Sequence, residues 1–183
     1  MKNLIKPLII TIVCVIAFVC VVLLYNSLSS SYTPQSTNNP TQQNNNNADY
    51  TAPDFEMVDK DGNTVSLSQF KNKAVVINYW ASWCGPCKAE MPYFEQAYKD
   101  FEDVQFVMLN STMDDSKEAA DEFIKDRGYT FPVFYDTTGQ FAYLYGISSY
   151  PTTFFIDKQG QLYTYARGAM TKDTLYSNIE MIR

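Results

Sequence analysis

The segment Ala74-Val75-Val76-Ile77-Asn78-Tyr79-Trp80 is apolar at every position but one, and a Cys84-Gly85-Pro86-Cys87 cluster follows it closely. A continuous apolar run of this length reads as a strand covered on both faces, which demands structure above and below it. Past the cluster the apolar period changes. Cys87, Met91, Phe94, Tyr98 and Phe101 recur at spacings of four, three, four and three, which is one face of a helix. A buried strand that feeds a helix carrying two cysteines in its first turn confines the fold to a layered α/β architecture.

The chain from residue 52 to residue 183 continues the alternation. Phe55 to Val58 and Thr64 to Leu67 flank an Asp61-Gly62 turn and predict a hairpin. Val104 to Leu109 predicts a strand, Ser116 to Arg127 a helix stopped at Gly128, Phe131 to Tyr135 a strand, and Gln140 to Tyr145 a short helix. Thr153 to Ile156 and Leu162 to Arg167 form a second hairpin around Asp157-Lys158-Gln159-Gly160. Thr171 caps a last helix through Met181, with Leu175, Ile179 and Ile182 facing inward. Pro92 removes one backbone donor inside the first long helix, so a kink is expected near Glu90 and Met91. The sum is an α/β sandwich with a mixed sheet and no internal repeat.

The preceding residues have a different character. Leu8 to Leu24 is apolar apart from one Thr, carries no charge and follows Lys2 and Lys6. Its length suits a membrane span, and the basic flank places the N-terminus in the cytoplasm. Residues 1–25 are therefore predicted to be a single uncleaved membrane anchor, with everything beyond Tyr25 outside the cell. Cleavage near Ser27 to Ser30, releasing a soluble protein, is the alternative. Cys14 and Cys20 each follow a Val, which disfavours a lipoprotein site; they read as apolar membrane residues. Residues 26–51, rich in Asn, Ser, Thr, Gln and Pro with Asp49 as the one charge, read as a flexible linker with a reach of about 30 Å.

Charge and composition exclude several functions. Twelve basic residues follow the anchor against twenty acidic ones, a formal charge of −8, which argues against nucleic acid or anionic lipid as a partner. The chain has no His, which removes His-based catalysis and most zinc sites.

The cysteine pair remains as the candidate chemistry. The unpaired amides and positive dipole end of a helix N-terminus stabilise an anion, so the Cys84 thiol is expected to be acidic. A fall in pKa from about 8.5 to about 7 raises the thiolate fraction at neutral pH from roughly 3% to roughly 50%. Lower nucleophilicity reduces the net gain to about threefold. The larger advantage is that Cys87, on the same turn, can attack a mixed disulfide on Cys84 intramolecularly. Gly85 and Pro86 suit a tight approach to the first turn. A purely structural disulfide would close a very small loop and remove little chain entropy. A zinc site would need two further ligands, and the other cysteines lie in the apolar run.

Two segments, Val76-Ile77-Asn78-Tyr79-Trp80-Ala81-Ser82-Trp83-Cys84-Gly85-Pro86-Cys87-Lys88-Ala89-Glu90-Met91-Pro92 and Tyr150-Pro151-Thr152-Thr153-Phe154-Phe155-Ile156-Asp157, resemble the thioredoxin superfamily. Within it they are most similar to the membrane-anchored redoxin or TlpA-like branch of extracytoplasmic thiol-disulfide oxidoreductases, from about Ala52 to Arg183. The resemblance implies a thioredoxin-like three-layer sandwich with a central mixed sheet. It implies a reactive Cys84, a resolving Cys87 and a cis-proline, Pro151, that pairs with substrate backbone. Trp83, Gly85, Pro86, Tyr150 and Pro151 then face the substrate, although Tyr150 also reads as an ordinary packed loop tyrosine.

Where thioredoxin has a buried Asp six residues before the first cysteine, this chain has Asn78, which cannot accept a proton. Glu90 matches a glutamate of the TlpA-like branch and is the candidate proton acceptor, at the border of the apolar helix face; a solvated helix glutamate is the alternative. Gly-Pro between the cysteines resembles the reducing thioredoxins. The implied partners are disulfide-containing exported proteins and a membrane dithiol electron donor, with no cofactor and no metal. Two other readings stay open. Val104 to Gly139 resembles the redoxin branch that includes the peroxiredoxins, although a single cysteine preceded by Pro and Thr or Ser is missing here. A non-enzymatic tethered module that holds a thiol partner or haem precursor is the other.

Overall fold

The computed structural model describes residues 18–20, 22–24 and 50–183. The anchor expected over residues 1–25 and the linker over 26–51 lie almost wholly outside them. Residues 18–20 and 22–24 are helical, and among the described residues no helix is long and apolar enough to cross a membrane.

Among the described residues seven strands make one sheet: β1 (Glu56–Asp59), β2 (Thr64–Ser66), β3 (Ala74–Trp80), β4 (Val104–Asn110), β5 (Val133–Tyr135), β6 (Thr152–Ile156) and β7 (Leu162–Arg167). Their order across the sheet is β2-β1-β5-β4-β3-β6-β7. The β3–β4 and β4–β5 pairs are parallel, and the others are antiparallel, so the sheet is mixed. Strand β3 lies between β4 and β6, and every one of its residues is buried, as its apolar run demands.

The two-residue alternation of β3 divides the core. Ala74, Val76 and Trp80 face one side, where α1 (Gly85–Asp100), α2 (Lys117–Arg127) and α4 (Lys172–Ile182) supply Met91, Phe94, Ala120, Leu175 and Ile179. Val75, Ile77 and Tyr79 face the other side and pack with Leu67, of the 3-10 turn Leu67–Phe70, and Phe141, of α3 (Gln140–Leu144). This is a three-layer sandwich. Burying each large apolar side chain contributes about 1.5 to 3 kcal/mol, so the two cores rather than any one contact hold the layers together.

Local chemistry sets the helix ends. Ser116 accepts the Ala119 amide to start α2, and Gly128 ends it at φ 67, where a side chain would be strained. Thr171 accepts the Thr174 amide to start α4. Helix α1 runs unbroken from Gly85 to Asp100 with Pro92 inside it. Strand β5 is shorter than the apolar run Phe131 to Tyr135 suggests, because the Glu95 carboxylate of α1 takes the amides of Thr130 and Phe131 and Pro132 has none to give. Two further bonds join α4 to α1: the Tyr176 hydroxyl donates to Asp100 at 2.6 Å and Lys172 Nζ to Gln96 Oε1 at 2.9 Å.

Candidate active site

The strand β3 ends at Trp80, and four residues later Cys84 is the N-cap of α1. Its sulfur is bonded to that of Cys87, with the two Cα atoms 5.3 Å apart, so the structure is of the oxidised pair. Cys84 Sγ also accepts the Cys87 amide at 3.2 Å. That amide is one of the donors a helix N-terminus leaves unpaired, and on reduction it faces the Cys84 thiolate. Cys84 is 4% exposed and Cys87 is fully buried, so an approaching partner meets Cys84 first. Gly85 and Pro86 are exposed, and a Cβ on Gly85 would meet nothing within 4 Å. Gly85 therefore keeps the surface beside the sulfurs low and answers no local clash.

Glu90 lies one turn beyond Cys87 and is only 1% exposed, deeper than a border position on the helix suggests. Its Oε1 accepts Asn78 Nδ2 at 2.8 Å and its Oε2 accepts the Met170 amide at 3.0 Å. Burial outweighs those two bonds and pushes the carboxyl up to about 7. Asn78 Nδ2 also donates to Thr153 Oγ1 of β6 at 2.9 Å, while Asn78 Oδ1 has no partner among the described residues. Asn78 thus occupies the inward position of β3 facing α1 and orients a carboxyl group that it cannot replace.

The second wall of the site is the loop ahead of β6. The Tyr150–Pro151 bond is cis, and the Pro151 carbonyl accepts the Gly168 amide at 2.8 Å. The Tyr150 ring stacks on Tyr79 at 5.6 Å and meets Trp83, which is 57% exposed, edge to face at 5.6 Å. The inner face of Tyr150 is thus packed, and its edge borders Trp83. The Tyr79 hydroxyl reaches Ser111 Oγ and the buried carboxylate of Asp136, at 2.9 and 3.1 Å.

The structure brings Trp83, Cys84, Cys87 and Glu90 together on the turn after β3 and the first turns of α1, with Tyr150, the residue before Pro151, beside Trp83. Thr153, the Met170 amide, Ser111 and the Asp114-Asp115 pair were not legible as site residues. Each reaches the site across the fold, and none carries a local sequence signal.

The profile of the AhpC/TSA family matches residues 48–164. The chain belongs to the AhpC/TSA family. Among relatives in it, the thiol-disulfide oxidoreductase ResA of Oceanobacillus iheyensis is 38% identical over 128 residues, which cover 68% of this chain and 67% of that one. The pneumococcal exposed lipoprotein thioredoxin of Streptococcus pneumoniae superposes with a TM-score of 0.63 at 34% identity, over 70% of this chain and 99% of its own. StoA of Bacillus subtilis superposes at 0.62 with 28% identity, over 70% of this chain and 98% of its own. The fold is thus thioredoxin-like, and its central sheet is mixed. With a vicinal cysteine pair closed at the head of α1, this AhpC/TSA chain is a thiol-disulfide oxidoreductase.

Proposed function

We propose that the chain reduces disulfides in exported proteins from a position outside the cell membrane, with Cys84 as the attacking thiolate and Cys87 as the resolving thiol. The observation that carries the reading is the closed Cys84–Cys87 bond at the head of α1 with Glu90 buried one turn behind it. In the reduced enzyme the Cys84 thiolate attacks a substrate disulfide, forming a mixed disulfide and expelling one substrate thiolate. Cys87 gives its proton to the Glu90 carboxylate and attacks Cys84 Sγ. The Cys84–Cys87 bond forms and the second substrate thiolate leaves, so two electrons pass from the enzyme to the substrate. Re-reduction by a membrane dithiol donor reverses the bond change.

Trp83, Gly85, Pro86, Tyr150 and Pro151 form the surface on which substrate lies. The exposure of Trp83, Gly85 and Pro86 beside the sulfurs supports this, as does the edge-to-face contact of Trp83 with Tyr150, the residue before Pro151. The apolar run with its basic flank supports residues 1–25 as the anchor, 26–51 as the linker and 52–183 as the catalytic domain. Tethering keeps the dithiol near the membrane donor. On intact cells, an impermeant thiol probe should label the reduced protein in the membrane fraction; recovery of a soluble form beginning near Ser30 would overturn the anchor.

Turnover of an insulin-type disulfide with a thiol reductant tests the activity. Rapid reduction is expected. Consumption of a hydroperoxide in its place would move the chain to the peroxidase reading, and failure of both would leave a binding module.

A further inference from the structure

Residues 111–115, in the segment that joins β4 to α2, have no part in the sulfur chemistry, yet they touch both walls of the site. Asp114 makes two contacts of different kinds. Its backbone carbonyl accepts the Trp83 indole N–H at 2.9 Å, and its carboxylate accepts the Tyr150 hydroxyl. Trp83 directly precedes Cys84, and Tyr150 directly precedes the cis Pro151. One exposed residue therefore spans the two segments between which a substrate strand must lie.

Its neighbours fix the bracket in place. Asp115 accepts the Ser82 amide at 2.6 Å, the Ser82 hydroxyl at 2.8 Å and Asn110 Nδ2 at 2.8 Å, which ties the segment before Trp83 to the end of β4. Ser111 Oγ lies 2.7 Å from the Tyr150 hydroxyl and is anchored in turn to Tyr79. Burial of Tyr150, with the Asp114 carboxylate beside it, pushes the phenol up to about 12, so it stays a donor throughout the working range. A neutral hydroxyl donating to a carboxylate is roughly twice as strong as a bond between neutral groups. The Tyr79 ring holds the plane of Tyr150, and Asp114 holds its outer end.

We propose that Asp114 is a positioning residue for substrate: by holding Trp83 and Tyr150 in one fixed relation, it sets the width of the groove that receives the peptide segment bearing the disulfide. The proposal rests on the disulfide-exchange reading above. Asp114 acts on the polypeptide and leaves the sulfur chemistry to the dithiol, so its loss weakens peptide binding more than it slows bond exchange.

Steady-state reduction of a disulfide-bridged peptide by the full chain tests this. Asp114→Ala and Tyr150→Phe should each raise KM about tenfold to a hundredfold, the value of one hydrogen bond to a charged group, while kcat changes less than about twofold. The double variant should raise KM no further than the larger single change, because both remove the same contact. Asp114→Asn keeps the volume and an acceptor but not the charge, and should fall between. If Asp114→Ala does not fold, the same cycle run with Asp114→Asn decides. Multiplying KM effects, or a loss in kcat at constant KM, would overturn the role of Asp114 alone. A wild-type chain that leaves the peptide oxidised would overturn the exchange reading itself.

Discussion

Asn78 and Glu90 are joined across 2.8 Å, the side-chain amide of the buried strand β3 donating to the carboxylate of the helix that begins with the dithiol. The contact fixes the carboxyl group behind Cys87 and leaves it poised near neutrality, because an amide carries no charge. A carboxylate in the Asn78 position would repel Glu90, and an apolar residue would leave one oxygen without a donor.

The two sulfurs should divide their work by position. Cys87→Ser should accumulate a substrate mixed disulfide on Cys84, whereas Cys84→Ser should not react with substrate. In the reduced wild type, alkylation at neutral pH followed by peptide mapping should find Cys84 modified first. Faster labelling of Cys87 would reverse the assignment, because its burial and later place in the turn make it the less acidic and less accessible thiol.

Glu90→Gln keeps the shape of the side chain and removes its capacity to take a proton. Resolution of the mixed disulfide should slow by about tenfold to a hundredfold or more, as for loss of a general base. The wild-type rate should rise with pH through about 7 as the carboxyl ionises, and the variant should lack that inflection. Wild-type rates from the variant across pH 5 to 9 would return Glu90 to a structural role.

Stability should carry the same signature with a definite sign. The Glu90 pKa is raised on folding from 4.5 to about 7, so its contribution is fully present below the lower value and is lost as pH rises through the higher one. Between pH 5 and pH 8 the oxidised wild type should lose about 2 kcal/mol relative to Glu90→Gln. Urea unfolding of both proteins at the two pH values measures it, and parallel pH dependences would refute the burial argument.

Asn78→Ala removes one of the two donors to Glu90 and empties the space between β3 and α1. The kinetic inflection should move above 7 by about one unit, and the fold should lose about 1 to 3 kcal/mol. A rate profile measured on this variant that still turned near 7 would show that the Met170 amide and burial alone set the Glu90 pKa.

Much of this was written locally in the chain. The apolar run of β3, the changed period after Cys84 and the Thr171 cap each lie within a few residues, so strand, helix and dithiol could be placed from sequence. The depth of Glu90 could not, since the Met170 amide that covers it comes from eighty residues away. Tyr150 reaches Ser111 and Asp114 across thirty-nine and thirty-six residues, and no periodicity reports such a meeting. The early end of β5 has the same cause, as Glu95 claims amides that the apolar run had assigned to a strand.

The bonds that Glu95, Gln96 and Asp100 make bear on how the molecule works as a machine. They clamp the rear half of α1 to the loop before β5 and to α4, while the front end carries the sulfurs. A beam held in this way transmits little motion along its length. Opening and closing the Cys84–Cys87 bond should then move the front end of α1 more than the half that Glu95, Gln96 and Asp100 hold.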